Sequence, residues 1–295
     1  MRHGRKSKSK RFDGHKGAVA VDPESQLFTA VDVLAGNAPD NTHARELVEQ
    51  TEENAAVEVD ETIGDCAFGD GTTRQEFADA GRTLVAKVPD RPNGGQIPKE
   101  DFRIDLETKT CTCPADQECQ TLEPIGRRTD RSGESQEALG FTFDPAVCAA
   151  CPRRAECVRA GPGKGRTVSL HPQEALLQEA RAFQRSDAFG PYRQMRQAAE
   201  HRLARLMQRG MRQARYFGHV KTLYQLLMAA TVANLTLVAA KTGRMRCQGK
   251  RRSHCFAPRA GAVIAFISAF VLTVACCLGL SRENPARRTG FRPGF

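Results

Sequence analysis

Residues 16–34, KGAVAVDPESQLFTAVDVL, hold two β-rich runs on either side of a turn. The runs are residues 16–21 and 26–34, which are rich in valine, alanine and other residues that favour strands. Between them, Asp22-Pro23-Glu24-Ser25 has the composition of a turn. The stretch therefore predicts a β-hairpin.

The residues after the hairpin alternate helical and β-rich patterns, which is typical of α/β domains. Residues 36–40 (GNAPD) are a predicted loop. The elements predicted after it are a helix at 42–53, a strand at 57–63, a helix at 72–80 and a buried strand at 83–88. This order predicts an α/β fold for the first 89 residues.

The remaining two-thirds of the chain differs in composition from the first third. Residues 90–165 are rich in proline, glycine and cysteine, so they form a predicted loop-rich insertion. Residues 166–242 are mostly helical by pattern, with predicted helices at 173–183, 192–216 and 221–240. A basic linker is predicted at 243–259 and a polar tail at 281–295.

Composition and charge limit the classes of function. The 295 residues carry a formal net charge of +10, and residues 1–16 hold seven lysines or arginines against one acid. A clustered basic excess favours a polyanionic partner, most often nucleic acid, although an ordinary solvated charged surface gives the same pattern. The first thirty residues lack the apolar core of a signal peptide. We therefore expect the 11 cysteines to lie in a reducing cytosol, where thiols bind metals more often than they form disulfides. We expect a cytoplasmic, nucleoid-associated protein.

Residues 260–280, AGAVIAFISAFVLTVACCLGL, form an uncharged stretch between Arg259 and Arg282. Its 21 residues meet the length requirement for a transmembrane helix, which would make the membrane a partner. The same composition fits a terminal helix buried in a core or an oligomer, or an unselected extension. These alternatives stay open at the level of the sequence.

Asp65 is the first acidic residue after the strand predicted at 57–63. In open α/β sheets, ligands bind at the carboxyl ends of strands, where Asp65 would lie. Phosphoryl transfer on DNA uses divalent cations held by carboxylates, because Mg²⁺ prefers hard oxygen ligands. By position alone, an aspartate that stabilises a turn or a helix start is the favoured explanation of Asp65.

Three motifs resemble those of DDE-type insertion-sequence transposases, which have an RNase H-like catalytic domain. GDCAFGDG at residues 64–71 is similar to the stretch around the second catalytic aspartate of that family. FDGHK at 12–16 and GNAPD at 36–40 match its second-strand entry and its following loop, in the same order. The resemblance implies that Asp65 is a catalytic ligand of Mg²⁺ or Mn²⁺.

A fourth match lies in the long predicted helix. YRQMRQAAE at residues 192–200 resembles the Y-R-E-K signature, which brings the last catalytic glutamate to the two aspartates. The resemblance makes Glu200 the second metal-binding carboxylate, with Arg196 four residues before it. The lysine expected seven residues after the glutamate is Met207 here, so Arg205 or Arg209 is the candidate replacement.

Helical periodicity divides this helix into two faces. The apolar stripe is Met195, Ala199, Leu203, Leu206 and Met207, with Glu200 at its edge and therefore partly buried. A row of arginines occupies the far side: Arg202, Arg205, Arg209 and Arg212. With Tyr192 and Arg196, this row is the predicted DNA-binding surface, although a solvated basic face has the same pattern.

The cysteines in the insertion have the spacing of a structural zinc site. Cys148 and Cys151 form a C-x-x-C pair, Cys157 follows six residues later, and Cys113 lies upstream. Four thiolates satisfy the tetrahedral coordination of Zn²⁺, with Cys111 and Cys119 as possible substitutes. Unliganded buried thiols are the alternative. A cysteine-rich insertion is also a feature of the transposases that this sequence resembles.

The resemblance also implies a first catalytic aspartate on a preceding central strand. Residues 1–11 hold no predicted strand, and Asp13, Asp22 and Asp32 lie in the hairpin or close to it. We therefore expect an α/β fold with an RNase H-like mixed sheet that lacks its first strand, and a chain corresponding to the C-terminal part of the family. Residues 1–89 would form a partial catalytic core, which residues 166–242 complete.

Two hypotheses of function follow. The first is a truncated DDE transposase, inactive alone, whose partners are DNA and either a missing N-terminal segment or further copies of the chain. The second is a non-catalytic, zinc-containing DNA-binding protein in which Asp65 and Glu200 are incidental. A small membrane-anchored protein is a third hypothesis, which rests on residues 260–280 alone.

Overall fold

The computed structural model describes residues 2–5, 9, 11–90, 94–129 and 133–249. The chain divides into two compact units: unit 1 comprises residues 1–62 and 191–295, and unit 2 comprises residues 63–190. The boundaries between these units, at residues 62/63 and 190/191, differ from the predicted domain boundaries at 89 and 165. The apolar stretch 260–280, the tail 281–295 and all but the first residues of the basic linker lie outside the described residues.

The fold is mixed α/β. Its strands are β1 (Arg2–Arg5), β2 (Arg11–Val21), β3 (Phe28–Ala35), β4 (Glu61–Ile63), β5 (Thr83–Val85), β6 (Arg103–Asp105), β7 (Thr110–Thr112), β8 (Glu118–Cys119), β9 (Leu122–Thr129), β10 (Ser135–Thr142) and β11 (Thr167–Ser169). Its helices are α1 (Ala44–Ala55), α2 (Gly71–Asp79), α3 (Pro145–Ala150), α4 (Arg154–Cys157), α5 (Glu174–Arg185), α6 (Gly190–Leu206) and α7 (His219–Gly249). Within the described part of the chain the strands form four sheets of two or three strands rather than one mixed sheet.

Unit 1 is built on the antiparallel sheet β1-β2-β3. The predicted hairpin is confirmed, with Val19 opposite Val31 in the register of β2 and β3. Its turn is stabilised by the Asp22 carboxylate, which accepts hydrogen bonds from the backbone N–H groups of Glu24 (3.3 Å) and Ser25 (2.9 Å). The expectation of no strand before residue 11 is wrong, because β1 pairs with the start of β2.

The core of unit 1 lies between β3 and the C-terminal helices. Its buried members are Phe28, Val31, Val33, Leu206, Leu226, Leu227, Ala230 and Ala233. Asn234 of α7 extends the sheet by hydrogen bonding: its Oδ1 accepts from the Phe28 N–H and its Nδ2 donates to the Phe28 carbonyl, both at 2.9 Å. A side-chain amide thus substitutes for a neighbouring strand at this residue.

The long helix predicted at 192–216 is shorter in the structure. Helix α6 ends at Leu206, and a π-helical segment, Met207–Met211, follows it. Gly210 in that segment has φ 89°, a left-handed conformation that interrupts a right-handed helix. The helix predicted at 221–240 is confirmed and extended as α7.

Unit 2 contains two three-stranded antiparallel sheets, β6-β7-β8 and β9-β10-β11. Their shared core is Ile97, Phe102, Cys111, Cys119, Phe141, Phe143 and Val168. The helices predicted at 72–80 and 173–183 are confirmed as α2 and α5. The strands predicted at 57–63 and 83–88 are reduced to the three-residue β4 and β5.

Helix α7 is the one helix in the described residues that is long and apolar enough to cross a membrane by length and composition. The qualifying part is His219–Gly243, and 28% of its most apolar window is buried within the protein. One face of this helix packs on β3, as the core helix of a soluble protein also would.

Candidate functional site

Asp65 lies in an exposed turn directly after β4. The Gly64 N–H donates to the Val85 carbonyl at 2.9 Å, which fixes the entry to the turn. The Asp65 Oδ1 accepts a hydrogen bond from the Ala67 N–H at 2.8 Å, and the Phe68 N–H donates to the Asp65 carbonyl at 3.1 Å. The carboxylate therefore stabilises its own turn and is also presented to solvent.

The loop that follows Asp65 is held in place by buried backbone contacts. A Cβ atom at Gly69 would lie 1.9 Å from the Lys87 carbonyl oxygen, so only glycine fits there. Asp70 begins α2 by accepting hydrogen bonds from the N–H groups of Thr72 (3.0 Å) and Thr73 (3.2 Å). The second aspartate of the GDCAFGDG motif is thus a helix cap.

Arg74 anchors this loop, a role that was not predicted from the sequence. The buried guanidinium donates from Nε to the Gly69 carbonyl at 3.1 Å and from Nη2 to the Ala86 carbonyl at 2.5 Å. Burial lowers the pKa of Arg74, and Asp70 nearby opposes that shift. Its burial could have been predicted from its position, because Arg74 lies one turn after the Asp70 cap in a short helix that must bury one face.

Glu200 lies on α6 and is more exposed than its position at the edge of an apolar stripe predicts. Its side chain is 57% exposed, so the expectation of partial burial is wrong. Arg196 supplies a positive partner, with 3.1 Å between its Nη2 and the Glu200 Oε1. Met195 and Met207, predicted on the buried stripe, are also exposed, whereas Leu206 is buried.

Tyr192 lies near the start of α6, where its hydroxyl donates to the carboxylate of Glu61. The distances to Glu61 Oε1 and Oε2 are 2.9 and 3.0 Å. This hydrogen bond, with the negative charge of Glu61, raises the pKa of Tyr192. Glu61 is the first residue of β4 and was not predicted from the sequence.

The predicted arginine row is divided by the structure. Arg205, Arg209 and Arg212 are exposed, with Arg205 bonded to Gln208 (3.0 Å) and Arg209 to Thr236 (2.8 Å). The expectation that Arg202 is exposed with them is wrong, because Arg202 is only 7% exposed. Its guanidinium lies 5.0 Å from the centre of the Phe28 ring, since this part of α6 packs on the sheet.

Cys113, Cys148, Cys151 and Cys157 line one small pocket of about 30 Å³ in unit 2. Two sulfurs accept backbone hydrogen bonds: Gln117 N–H donates to Cys113 Sγ and Arg166 N–H to Cys148 Sγ, both at 3.4 Å. Burial raises the pKa of the Cys157 thiol, as do the three neighbouring cysteines, and Arg166 opposes them. The four residues predicted to bind zinc thus lie around one space.

Cys111 and Cys119, the possible substitute ligands, lie in a different environment from the four pocket cysteines. Cys111 and Cys119 are buried in the core of unit 2, and the Cys119 thiol donates to the Thr142 carbonyl at 3.2 Å. Burial raises the pKa of Cys111 to about 12, which disfavours the thiolate that a metal needs. As the side chains stand, no group of three or more His, Cys, Asp or Glu in the described residues is arranged to hold a metal ion.

Comparison with known families gives one match. Residues 107–239, a little under half of the chain, match the family model described as a transposase DDE domain. The matched segment contains the four pocket cysteines, Tyr192, Glu200 and the arginines of α6, whereas Asp65 precedes it. The comparisons with curated proteins and with solved structures give no match.

Proposed function

We propose, because residues 107–239 match the model of a transposase DDE domain, that this chain takes part in metal-dependent DNA cleavage and strand transfer during transposition. The domain implies DNA as the partner and divalent metals as cofactors. The observation that carries the proposal is this match, because it contains Glu200 on the helix that bears the Y-R-E-K-like signature.

Asp65 and Glu200 are the proposed ligands of Mg²⁺ or Mn²⁺. Both carboxylates are exposed, and carboxylate oxygens are the hard donors that these cations prefer. When bound, such a metal pair stabilises the attacking and leaving oxygens of phosphoryl transfer. Asp65 would hold its ligand position through the turn bond to Ala67, and Arg196 would orient the Glu200 carboxylate.

The catalytic core is proposed to be RNase H-like. The antiparallel hairpin β2–β3, followed by α1 and then by the strand that precedes Asp65, supports this proposal. The resemblance assigns two of the three catalytic carboxylates to residues of this chain. The third would come from another polypeptide segment or from another copy.

The four pocket cysteines are the proposed ligands of one structural zinc ion. Four thiolates match the tetrahedral preference of Zn²⁺, and the backbone N–H bonds to Cys113 and Cys148 fit sulfurs that carry negative charge. The metal would join the turn after β7 to α3 and α4, and so would stabilise the insertion. The remaining proposed DNA contacts are Tyr192, Arg196, Arg205, Arg209 and Arg212.

A Mn²⁺ titration followed by electron paramagnetic resonance tests the carboxylate site. Asp65→Asn and Glu200→Gln are each expected to weaken Mn²⁺ binding by at least about tenfold, because each removes a charged ligand. The chain offers two matched controls. Asp105 accepts the same turn bond, from Glu107 N–H at 2.8 Å, and Glu49 makes the same i,i+4 pair, with Arg45 at 3.2 Å.

Asp105→Asn and Glu49→Gln should leave the Mn²⁺ affinity unchanged. If all four variants bind Mn²⁺ as the unsubstituted chain does, the proposed catalytic metal site is wrong. The function supported then is the second candidate, a non-catalytic zinc-containing DNA-binding protein. The gathering of four thiols around one pocket favours that candidate independently of the carboxylates.

Zinc content tests the cysteine site separately. We expect about one zinc ion per purified chain, and loss of that ion in Cys148→Ser and Cys151→Ser. Cys66→Ser is the control, because Cys66 is an exposed thiol outside the pocket. Zinc-free purified protein, or zinc retained after Cys148→Ser, would show that the pocket holds unliganded thiols.

A further inference from the structure

Arg166 lies beside the four pocket cysteines in unit 2. Its backbone N–H donates to Cys148 Sγ at 3.4 Å, and its side chain lines the same pocket. The lining also includes Arg154, and it has no acidic side chain in the part of the chain that the structure describes. Arg166 and Arg154 are therefore the charged residues that a group bound in this pocket would meet.

The guanidinium of Arg166 is held on several sides. Nη1 donates to the Cys157 carbonyl at 3.0 Å, and Nη2 donates to the Ile97 carbonyl at 2.9 Å. Gln96 Oε1 accepts a further bond from Nη1 at 3.3 Å, and the centre of the Phe102 ring lies 5.3 Å from the guanidinium carbon. Because the guanidinium is planar, these contacts also fix the direction of its remaining donor.

The remaining donor is Nε, and this atom is buried. Among the residues that the structure describes, Arg166 Nε–H has no hydrogen-bond partner. A buried donor without an acceptor destabilises a protein, and in native structures such a group needs a specific explanation, such as a role at a functional site or a nearby ion. A thiolate sulfur is a stronger acceptor than a neutral thiol, so ionised pocket cysteines would supply what this donor lacks.

A zinc site of four thiolates needs positive charge around it. The four thiolate charges exceed the two positive charges of the ion, so the bound site is negative overall. Cys113, Cys148 and Cys157 pack against the apolar core of unit 2, where a charge is costly unless it is paired and hydrogen-bonded. A cation that is already fixed beside the sulfurs reduces this cost.

We propose that Arg166 is the positioning residue of the zinc site. Its Nε–H donates to the sulfur of a metal-bound cysteine in the pocket, and its charge offsets the charge of the thiolates. The inference rests on the proposed zinc site and extends it from the ligands to a residue that supports them. Arg154 contributes less, because its guanidinium donates to the carbonyls of Gly161 and Lys164, both at 3.1 Å.

Cobalt titration of the full-length chain tests this inference. Co²⁺ replaces Zn²⁺ in thiolate sites, and its sulfur-to-metal absorption band reports the electron density on the sulfurs. Arg166→Met is expected to weaken Co²⁺ binding by about tenfold or more. Its band should also move to lower energy, because the hydrogen bond from Nε that stabilises the sulfur electrons is lost. Arg166→Lys keeps the charge and lacks Nε, so the affinity should recover in part while the band stays shifted.

Two variants are matched controls. Gln96→Ala removes another hydrogen bond to the Cys157 carbonyl, of 3.2 Å, without a change in charge. Arg153→Met removes a positive charge that is close to the cysteines in sequence, from an exposed side chain that pairs with Glu156. Both variants should bind Co²⁺ with the affinity and the absorption band of the unsubstituted chain.

The possible outcomes separate this inference from the zinc site itself. If Arg166→Met fails to fold, the band of Arg166→Lys decides alone, because it is read only from metal-bound protein. An unchanged affinity and band in the Arg166 variants would overturn the inference and leave the zinc site intact. An equal loss of affinity in Gln96→Ala would also overturn it, since the hydrogen bonds around Cys157 would then explain the effect. An unsubstituted chain without a sulfur-to-metal band would overturn the zinc site and the inference together.

Discussion

Arg74 is a buried cation whose hydrogen bonds all go to backbone carbonyls in one small region. It holds the loop after Asp65 to the backbone around β5 and the residues that follow it, through Gly69, Leu84 and Ala86. Because the carbonyls are also buried or nearly so, removal of the guanidinium leaves acceptors without donors. The position of Asp65 therefore depends on a residue that has no catalytic role.

Arg74→Met is expected to destabilise the protein by about 3 kcal/mol, since hydrogen bonds from a charged group contribute about 1.5 to 3 kcal/mol each. Arg74→Lys should be intermediate, because an ammonium group keeps the charge and loses the planar fork. Urea unfolding followed by circular dichroism measures both. Arg45→Met is the control, because Arg45 is an exposed residue on α1. Equal midpoints for Arg74→Met and Arg45→Met would contradict this account.

Glu174 gives a pH-dependent contribution to stability. Its side chain is 2% exposed and pairs with Lys99 Nζ at 2.5 Å and Arg181 Nη1 at 3.2 Å. Burial opposes ionisation of Glu174, but the hydrogen bond and charge of Lys99, with His171 N–H and Arg181, hold its pKa below the usual range. The stabilisation is therefore complete above the unfolded carboxyl pKa of about 4.3 and is lost as the pH falls below it.

Glu174→Gln should accordingly be less stable than the unsubstituted chain at pH 7, by about 3 kcal/mol, because two buried cations lose their anion. The difference in free energy of unfolding should shrink as the pH is lowered from about 4.3, the pKa of an unfolded glutamate, to below the lowered pKa of Glu174 in the folded protein, because its carboxylate is then protonated. Urea midpoints of both proteins across this range measure it. A difference that stays constant throughout this range would mean that Glu174 is not ionised in the folded protein.

At the scale of elements, local patterns predicted most helices and the β2–β3 hairpin. Residues 16–34 carry both the strand alternation and the turn residues, so their conformation is encoded locally. The end of α6 was not predicted, because Gly210 is tolerated in a helical pattern until tertiary packing selects its left-handed conformation. The burial of Arg202 was missed for a similar reason, since Phe28 lies far away in sequence.

For the candidate site too, sequence patterns predicted some of the residues and missed others. The motif spacing predicted four cysteines that the structure places around one pocket, whereas Asp65 and Glu200 stay predicted metal ligands. Glu61 and Arg74 were not predicted, because their partners, Tyr192 and the backbone around β5, are not adjacent to them in sequence. Residues that support a site through distant contacts leave no local pattern to find.

Asn234 is a polar residue in the middle of the apolar helix α7, and its hydrogen-bond partner is also distant in sequence. It is 8% exposed and completes both hydrogen bonds of the Phe28 peptide groups. Asn234→Leu should destabilise the protein by about 2 to 4 kcal/mol, because a buried donor and a buried acceptor lose their partners. Thr242→Ala, at an exposed position of α7, should change stability by less than about 0.5 kcal/mol.

The same urea measurement compares the two α7 variants. Equal stability of Asn234→Leu and Thr242→Ala would contradict this account. The amide would then have no structural role in attaching α7 to β3.

At the scale of the whole molecule, DNA binding and DNA cleavage are expected to separate. The exposed arginines of the α6 region contact phosphates in our proposal, whereas cleavage needs a third carboxylate that the resemblance does not assign to this chain. We therefore expect the chain alone to bind DNA without strong sequence preference and to leave it uncut with Mg²⁺ or Mn²⁺.

Binding titrations at several salt concentrations, together with a nicking assay, measure both properties. Combined substitution of Arg205, Arg209 and Arg212 by alanine should reduce the slope of log affinity against log salt by about 0.9 for each phosphate that no longer pairs with an arginine. Arg45→Ala is the control for a change in net charge alone. Metal-dependent cleavage that Asp65→Ala abolishes would contradict the prediction and would mean that another carboxylate of this chain completes the site.

The bond between Phe28 and Asn234 also determines when unit 1 can form during synthesis. These residues are 206 positions apart, and all of unit 2 is translated between them. At about 5 to 20 residues per second, a ribosome needs roughly 10 to 40 s to proceed from one to the other. For that interval the hairpin of the nascent chain lacks the cover of α7, and unit 2 becomes complete in sequence before α7 does. The apolar side of β3 that α7 covers therefore stays exposed on the nascent chain until α7 has left the ribosome.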